Sequence, residues 1–414
     1  MDSIITNSQK RYNTIDRIYA FLYAIILLVQ PIRSFLPVTL SMAIIVASIP
    51  YMLFLLLRGS FKISNIFFVA SYVFYRIINH GTSVEEFITM IFLILLVLVL
   101  SNDAFDFEYF FKWTLRISRL AAACVILQVI VHFILNVHIP FLNVGMLRGD
   151  LSYYESIVST GLTSNVYRPS AFFLEPSAFT QYAYPVLFYL LFKDEYNEGK
   201  KTALFISLGI IVCTSGMGIG LTVMMWGLYL FYNSFRAARI NKKWFGLFCT
   251  VIIVCLIAYM VSPQLQYSIQ RIFTGIGSSN SAIQGRLGGG QYYISLLNRE
   301  QLMFGVGDMG EEITMYMSGI YQLIYIDGII AVVMFSLMFI AQAIKNKGFN
   351  RILPIIVVVL TIFSSVALIH NLAYIMIFVY CLGKNVNSSR LFKKRIKVKF
   401  SPSHKVTDIG DMKE

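Results

Sequence analysis

Residues 87–101 read FITMIFLILLVLVLS, with no charge and no proline or glycine. A helix that crosses a bilayer needs about 20 predominantly apolar residues, and this run reaches that length with its flanks. Runs of the same kind recur near 18–35, 38–57, 64–80, 114–135, 171–192, 202–216, 218–235, 245–262, 316–341, 352–368 and 371–384, about twelve in all. The pairs 202–216/218–235 and 352–368/371–384 are tight hairpins. No repeat of 20–50 residues is visible, and no stretch reads as a soluble domain. Composition agrees: the 414 residues are 57% hydrophobic and 13% charged, whereas soluble domains carry about 25% charged residues. A soluble enzyme with one anchor is excluded. The expected fold is an all-α polytopic membrane protein: an N-terminal segment 1–17, a bundle 18–384 and a basic tail 385–414.

The net charge of +13 would suit nucleic acid, but the cations lie between the apolar runs. Lys and Arg mark the cytoplasmic side of short connections. With the N-terminus inside, that side receives Arg58, Lys62, Lys112, Arg116, Arg119, Lys193, Lys200, Lys201, Arg236, Arg239, Lys242, Lys243, Lys345, Lys347 and Arg351. The tail from Lys384 through Lys399 also falls inside, so both termini are expected to be cytoplasmic. The charge is then a topology signal, and nucleic acid is not the expected partner; the tail suits anionic headgroups. The five cysteines lie in or beside apolar runs without C-x-x-C spacing and read as small buried hydrophobes. The start of the chain lacks a small-residue cleavage site after its first apolar run, which is read as the first span.

Two outer connections, about 136–170 and 263–315, are far longer than the rest, and structureless loops beyond about 12–15 residues are usually functional. All 17 lysines fall inside, yet Arg148, Arg168, Arg271, Arg286 and Arg299 lie in these two loops, with Arg33 and Arg76 near other outer ends. A surface that keeps Arg and excludes Lys suits forked binding of phosphate or carboxylate, such as a lipid-linked pyrophosphate. The other reading is that these arginines pair with Asp150, Glu155, Asp308, Glu311 and Glu312 and hold the loops folded.

The entry to the sixth span reads Tyr167-Arg168-Pro169-Ser170-Ala171-Phe172-Phe173-Leu174-Glu175-Pro176-Ser177. Pro176 suits a first helical position, which makes Glu175 a cap at the positive helix end. Alternatively Glu175 is a carboxylate held in an outward-facing cavity, since an ionisable residue at membrane depth is a functional candidate.

The R-x-x-x-x-x-x-E-P-S pattern from Arg168 to Ser177 resembles the oligosaccharide repeat-unit polymerases of the Wzy type, which share a membrane glycosyltransferase superfamily with O-antigen ligases. Further matches are Gly285-Arg286, then Phe304-Gly305-Val306-Gly307, then Tyr325-Ile326-Asp327-Gly328, and Thr214-Ser215-Gly216 at a span turn. The aromatic-His cluster used by ligases is missing from the long outer loop, since no His occurs between His138 and His370. This favours polymerase over ligase.

The resemblance implies a membrane glycosyltransferase of the bacterial plasma membrane that joins undecaprenyl-pyrophosphate-linked oligosaccharides at the outer face, for capsule, O-antigen or exopolysaccharide. No cofactor or metal is expected, and no metal-spaced His/Asp/Glu set is visible. Membrane lipids, a flippase and a chain-length regulator are the candidate partners. Arg168 and Arg286, then Arg271 and Arg148, are the candidates for binding pyrophosphate. Glu175 or His370 is the candidate base for the acceptor hydroxyl. Asp327 could bind a sugar hydroxyl or pair with an arginine. The glycine-rich 285–290 segment has no preceding strand and is expected to act as a hinge in an active-site lid rather than a nucleotide loop. The rival classes are a lipid-linked oligosaccharide flippase or secondary transporter, and a non-catalytic scaffold.

Overall fold

The computed structural model describes residues 13–32, 39–58, 66–80, 83–101, 104–137, 139, 141, 167–193, 199–237, 282–307, 317–363, 372–384 and 386, with isolated positions at 246, 249, 250, 253, 260 and 266. Among them there is no β-strand. The helices are α1 (Thr14–Ile25), α2 (Leu40–Arg58), α3 (Phe67–His80), α4 (Val84–Ser101), α5 (Phe107–Leu135), α6 (Pro176–Phe192), α7 (Lys200–Val212), α8 (Gly216–Ala237), α9 (Ala282–Ser295), α10 (Arg299–Phe304), α11 (Gly319–Lys345), α12 (Ile352–Phe363) and α13 (Leu372–Tyr380), with a 3-10 turn at Gly348–Arg351. Helix occupies each predicted run, although near 245–262 only isolated helical positions are described. Among the described residues α2, α4, α5 and α11 are long and apolar enough to cross a membrane unaided. Large apolar side chains such as Leu57, Phe74, Ile134 and Ile344 are exposed on the outside, as lipid contact requires. This is a helical, multi-pass membrane fold.

Three boundaries differ most from the hydropathy reading. Helix α1 runs Thr14–Ile25 rather than 18–35, with turns from residue 26. Helix α5 starts at Phe107 rather than near 114, because Asp106 caps it: its carboxylate accepts the Tyr109 N–H at 3.0 Å. The cations of that first stretch lie over rings, Lys112 over Tyr109 and Arg116 over Trp113. Helix α6 starts at Pro176 rather than at 171. Ala171 takes a left-handed conformation at φ 54, so residues 171–175 form turns before Pro176 opens the helix at its first position.

Helix α6 is the centre of the bundle. Every side chain from Phe179 to Leu191 is buried, so the helix is covered on all sides. It packs against α5, α7 and α8, and it is pinned by hydroxyls. Tyr182 donates to Ala24 O of α1 at 2.6 Å, and Tyr189 donates to Phe378 O of α13 at 3.1 Å. Pro185 removes the amide that would serve the Gln181 carbonyl, and at that turn Tyr374 donates to the neighbouring Tyr182 O at 2.8 Å.

The contacts define two ends of the bundle. At one end Lys200, buried, donates to Leu190 O at 2.5 Å and Leu191 O at 2.8 Å and lies over the Tyr229 ring. It thus serves the last carbonyls of α6, where a cation also meets the negative helix end. Phe107 and Phe111 of α5 pack on Tyr189 there, Lys384 reaches Phe105 O at 3.3 Å, and Phe349 beyond α11 stacks on Phe192. At the opposite end lie Gln128, Ala171, Pro176 and Cys213. Helix α3 runs antiparallel to α11, since Tyr72 meets Phe335 while Tyr75 meets Asp327. Asp327 therefore sits toward the Pro176 end.

Candidate functional site

The Arg168–Glu175 segment is held from α5. Buried Gln128 accepts the Ala171 N–H at 2.9 Å and donates to Ile139 O at 2.9 Å. One residue before Arg168, the Tyr167 ring stacks on His132 of α5 at 3.9 Å between centroids and 10° between planes. Burial pushes the Tyr167 phenol up to about 12. These two anchors fix the backbone on either side of Arg168, whose side chain is exposed. Glu175 occupies the N-cap position of α6 with extended backbone, but its side chain makes no capping bond. Its carboxylate instead accepts from Ser177 Oγ at 2.9 Å. The position matches the sequence expectation and the capping bond does not: the carboxylate has turned from the helix amides toward a hydroxyl.

Thr214-Ser215-Gly216 meets this entry. The turn joins α7 to α8, with Thr214 left-handed at φ 56 and Ser215 Oγ accepting the Gly218 N–H at 3.3 Å as a cap of α8. A Cβ on Gly218 would come within 2.6 Å of Thr180 Oγ1 of α6, so the close approach of α6 and α8 depends on that glycine. Cys213 Sγ lies 3.8 Å from Pro176 O, so the turn packs on the start of α6, to which the Arg168–Glu175 segment leads. The positive ends of α6 and α8 thus converge beside Glu175. The Thr214 hydroxyl is buried there without a hydrogen-bond partner.

A second constellation forms around an interruption of α11. Gly328 has φ 79 and ψ 173 inside that helix, a region essentially confined to glycine. The break strips the preceding carbonyls of their usual amides, and each must be satisfied at membrane depth. Val306 N–H donates to Tyr325 O at 2.8 Å and Gly307 N–H to Ile326 O at 3.0 Å. Tyr75 O–H donates to Asp327 O at 2.7 Å. The Asp327 carboxylate pairs with Arg76 Nε of α3 at 2.9 Å, with the two side chains 3% and 15% exposed. Asn79, one turn beyond Tyr75, donates to Phe304 O. The Phe304–Gly307 and Tyr325–Gly328 motifs, read separately in the sequence, are therefore bonded to each other backbone to backbone.

Asp327 thus pairs with an arginine, one of its two expected roles, and that arginine is Arg76. Arg286 lies on α9, with its side chain outside the described residues; Arg148, Arg271 and His370 lie wholly outside them. The 285–290 segment, expected as a hinge, is helical within α9. Its Gly290 lies against the Tyr321 ring of α11, where a Cβ would collide. That glycine serves close helix packing. Arg299 is exposed at the start of α10. Gln128, His132, Tyr75 and Asn79 were not singled out from the sequence. The signal available was polar side chains at the ends of apolar helices, with Tyr75 and Asn79 one turn apart. Among the described residues no three His, Cys, Asp or Glu side chains cluster in the manner of a metal site. No family model matches the chain, and no curated protein or solved structure matches it at a significant level.

Proposed function

We propose that the protein polymerises undecaprenyl-pyrophosphate-linked oligosaccharide repeat units at the outer face of the bacterial plasma membrane. In this reading the chain crosses the membrane about twelve times, both termini are cytoplasmic, and the loops 136–170 and 263–315 face outward. The observation that carries it is the convergence of Glu175 and the amino ends of α6 and α8, just beyond Arg168 in the chain, at the end of the bundle opposite Lys200 and Lys384.

An acceptor sugar hydroxyl attacks the anomeric carbon of the donor chain, and the bond from that carbon to the pyrophosphate oxygen breaks. The departing pyrophosphate gathers negative charge. Arg168, assisted by Arg286, stabilises it by forked donation, and the amino end of α6 adds a fixed positive field. Glu175 accepts the hydroxyl proton, with Ser177 orienting its carboxylate. The donor is already activated by its leaving group, so no nucleotide is consumed.

A second reading has a specific observation behind it. Interrupted helices with polar pairs at membrane depth are used by secondary transporters, and α11 is interrupted at Gly328 beside Arg76–Asp327. One experiment separates the two. Purified protein in liposomes receives the lipid-linked repeat unit, and glycan length is read on a gel while transbilayer movement of the same lipid is read by lectin access. A ladder of products supports the polymerase. Movement of the intact unit without any new glycosidic bond would replace it with a flippase.

A further inference from the structure

Three side chains on the last turns of α3 grip the interruption of α11: Tyr75 the Asp327 carbonyl, Arg76 the Asp327 carboxylate, and Asn79 the Phe304 carbonyl. An ion pair this buried is expensive to keep, and breaking it by losing one partner is more expensive still. Its placement explains what it holds. The outer part of α11, Gly319 to Asp327, is separated from the rest of the helix by the non-helical Gly328. That outer part is the platform for α9, through Gly290 on Tyr321 and Tyr293 against Tyr325 at 6.1 Å. Arg286 lies on α9 one turn before Gly290. A mechanical chain therefore runs from α3 through Asp327 and the outer part of α11 to the helix that carries Arg286.

We propose that Arg76 is a positioning residue: its bond to Asp327 sets the angle of the outer part of α11 and so the place of α9, the helix that carries Arg286. It is not itself a pyrophosphate ligand. Its Nε is already occupied by the Asp327 carboxylate at 2.9 Å. The conserved charge of a lysine is insufficient for this role, because the pair is made through Nε of a planar fork that Lys lacks. This inference rests on the polymerase reading for its kinetic consequence, but its structural half stands apart from any activity.

The test uses the full-length protein in nanodiscs with Arg76→Gln, Arg76→Lys and the exchanged pair Arg76→Asp/Asp327→Arg. Hydrogen exchange is followed at Val306 and Gly307, whose amides close the interruption, with peptides of α6 and α7 as the control for global folding. Donor KM and kcat are measured on the same samples. In Arg76→Gln, exchange at 306–307 accelerates and kcat falls by at least about tenfold, while donor KM stays within about twofold and α6 and α7 remain protected. Arg76→Lys resembles Arg76→Gln, and the exchanged pair recovers part of both signals. Unaltered exchange at 306–307 in Arg76→Gln overturns the proposal, and so does a rise in donor KM with kcat preserved, which would make Arg76 a substrate ligand. If the wild-type protein forms no glycosidic bond, the polymerase reading fails and the exchange arm alone decides whether Arg76 holds the interruption.

Discussion

Gly305 and Gly328 interlock. A Cβ on Gly305 would strike the carbonyl of Ile326, and one on Gly328 would strike the carbonyl of Met303; both residues have positive φ, 84 and 79. With ψ of 177 and 173 they sit in the region that only glycine occupies at low cost. Neither obstacle is a flexible side chain, so nothing can move aside cheaply.

Gly305→Ala and Gly328→Ala are each expected to destabilise the protein by about 2–4 kcal/mol. The double substitution should cost less than the sum, because both disrupt one contact. Thermal unfolding in detergent, followed through a fused fluorescent reporter, measures this. Two midpoints equal to wild type would show that the two backbones do not meet.

Lys200 holds the carbonyls of Leu190 and Leu191 at the end of α6. Lys200→Met keeps much of the stem and removes the ammonium, leaving buried acceptors unserved. A loss of about 2–3 kcal/mol is expected, with the Pro176 end of α6 unaffected. Hydrogen exchange localised to residues 189–193 and 200–204 reads it, and protection equal to wild type in both peptides refutes it.

Glu175→Gln should lower kcat by about 10²- to 10⁴-fold as the loss of a general base, with little change in donor binding. Arg168→Lys should raise the barrier through the leaving group instead, lowering kcat/KM by about 10²-fold. Steady-state polymerisation with each variant separates the two. Full activity in Glu175→Gln would remove Glu175 from the chemistry and leave it as the residue that precedes Pro176.

Burial raises the carboxyl of Asp106 above the ordinary aspartate range, against the opposing pull of the Tyr109 N–H and of Arg17. An acid whose native pKa is raised contributes stability below its unfolded pKa and loses it as pH rises through the native one. At neutral pH the ionised, partly buried carboxylate is therefore a burden. Asp106→Asn can still cap α5, so its melting temperature should exceed that of wild type at pH 7 and converge with it near pH 4. A difference that grows on acidification contradicts the sign.

The positions of the helices were legible because apolar runs declare themselves residue by residue. The start of α5 was not, since Lys112 ends the hydropathy window at 114 while its side chain can still lie along the Tyr109 ring. The helical state of residues 285–290 was hidden for a related reason: glycine is a poor helix former in isolation, and only the Tyr321 ring across from Gly290 explains its use. For the site, Glu175 before Pro176 could be read locally. The choice of Arg76 as partner for Asp327 could not, because the two are 251 residues apart and the interruption that unites them depends on a third segment at 305–307.

Helix α6 has no face left for lipid, which bears on the order in which the chain is made. When residues 176–192 leave the ribosome, only α1 to α5 exist to shelter Thr180, Gln181 and the Tyr182 and Tyr184 rings. The hydroxyl that serves Tyr182 O comes from Tyr374, almost two hundred residues later in synthesis. Until α13 arrives, the middle of the bundle has a slot open on one side. The nascent protein must wait in the bilayer half-assembled, and a chain ended before Leu372 should remain a substrate for membrane quality control.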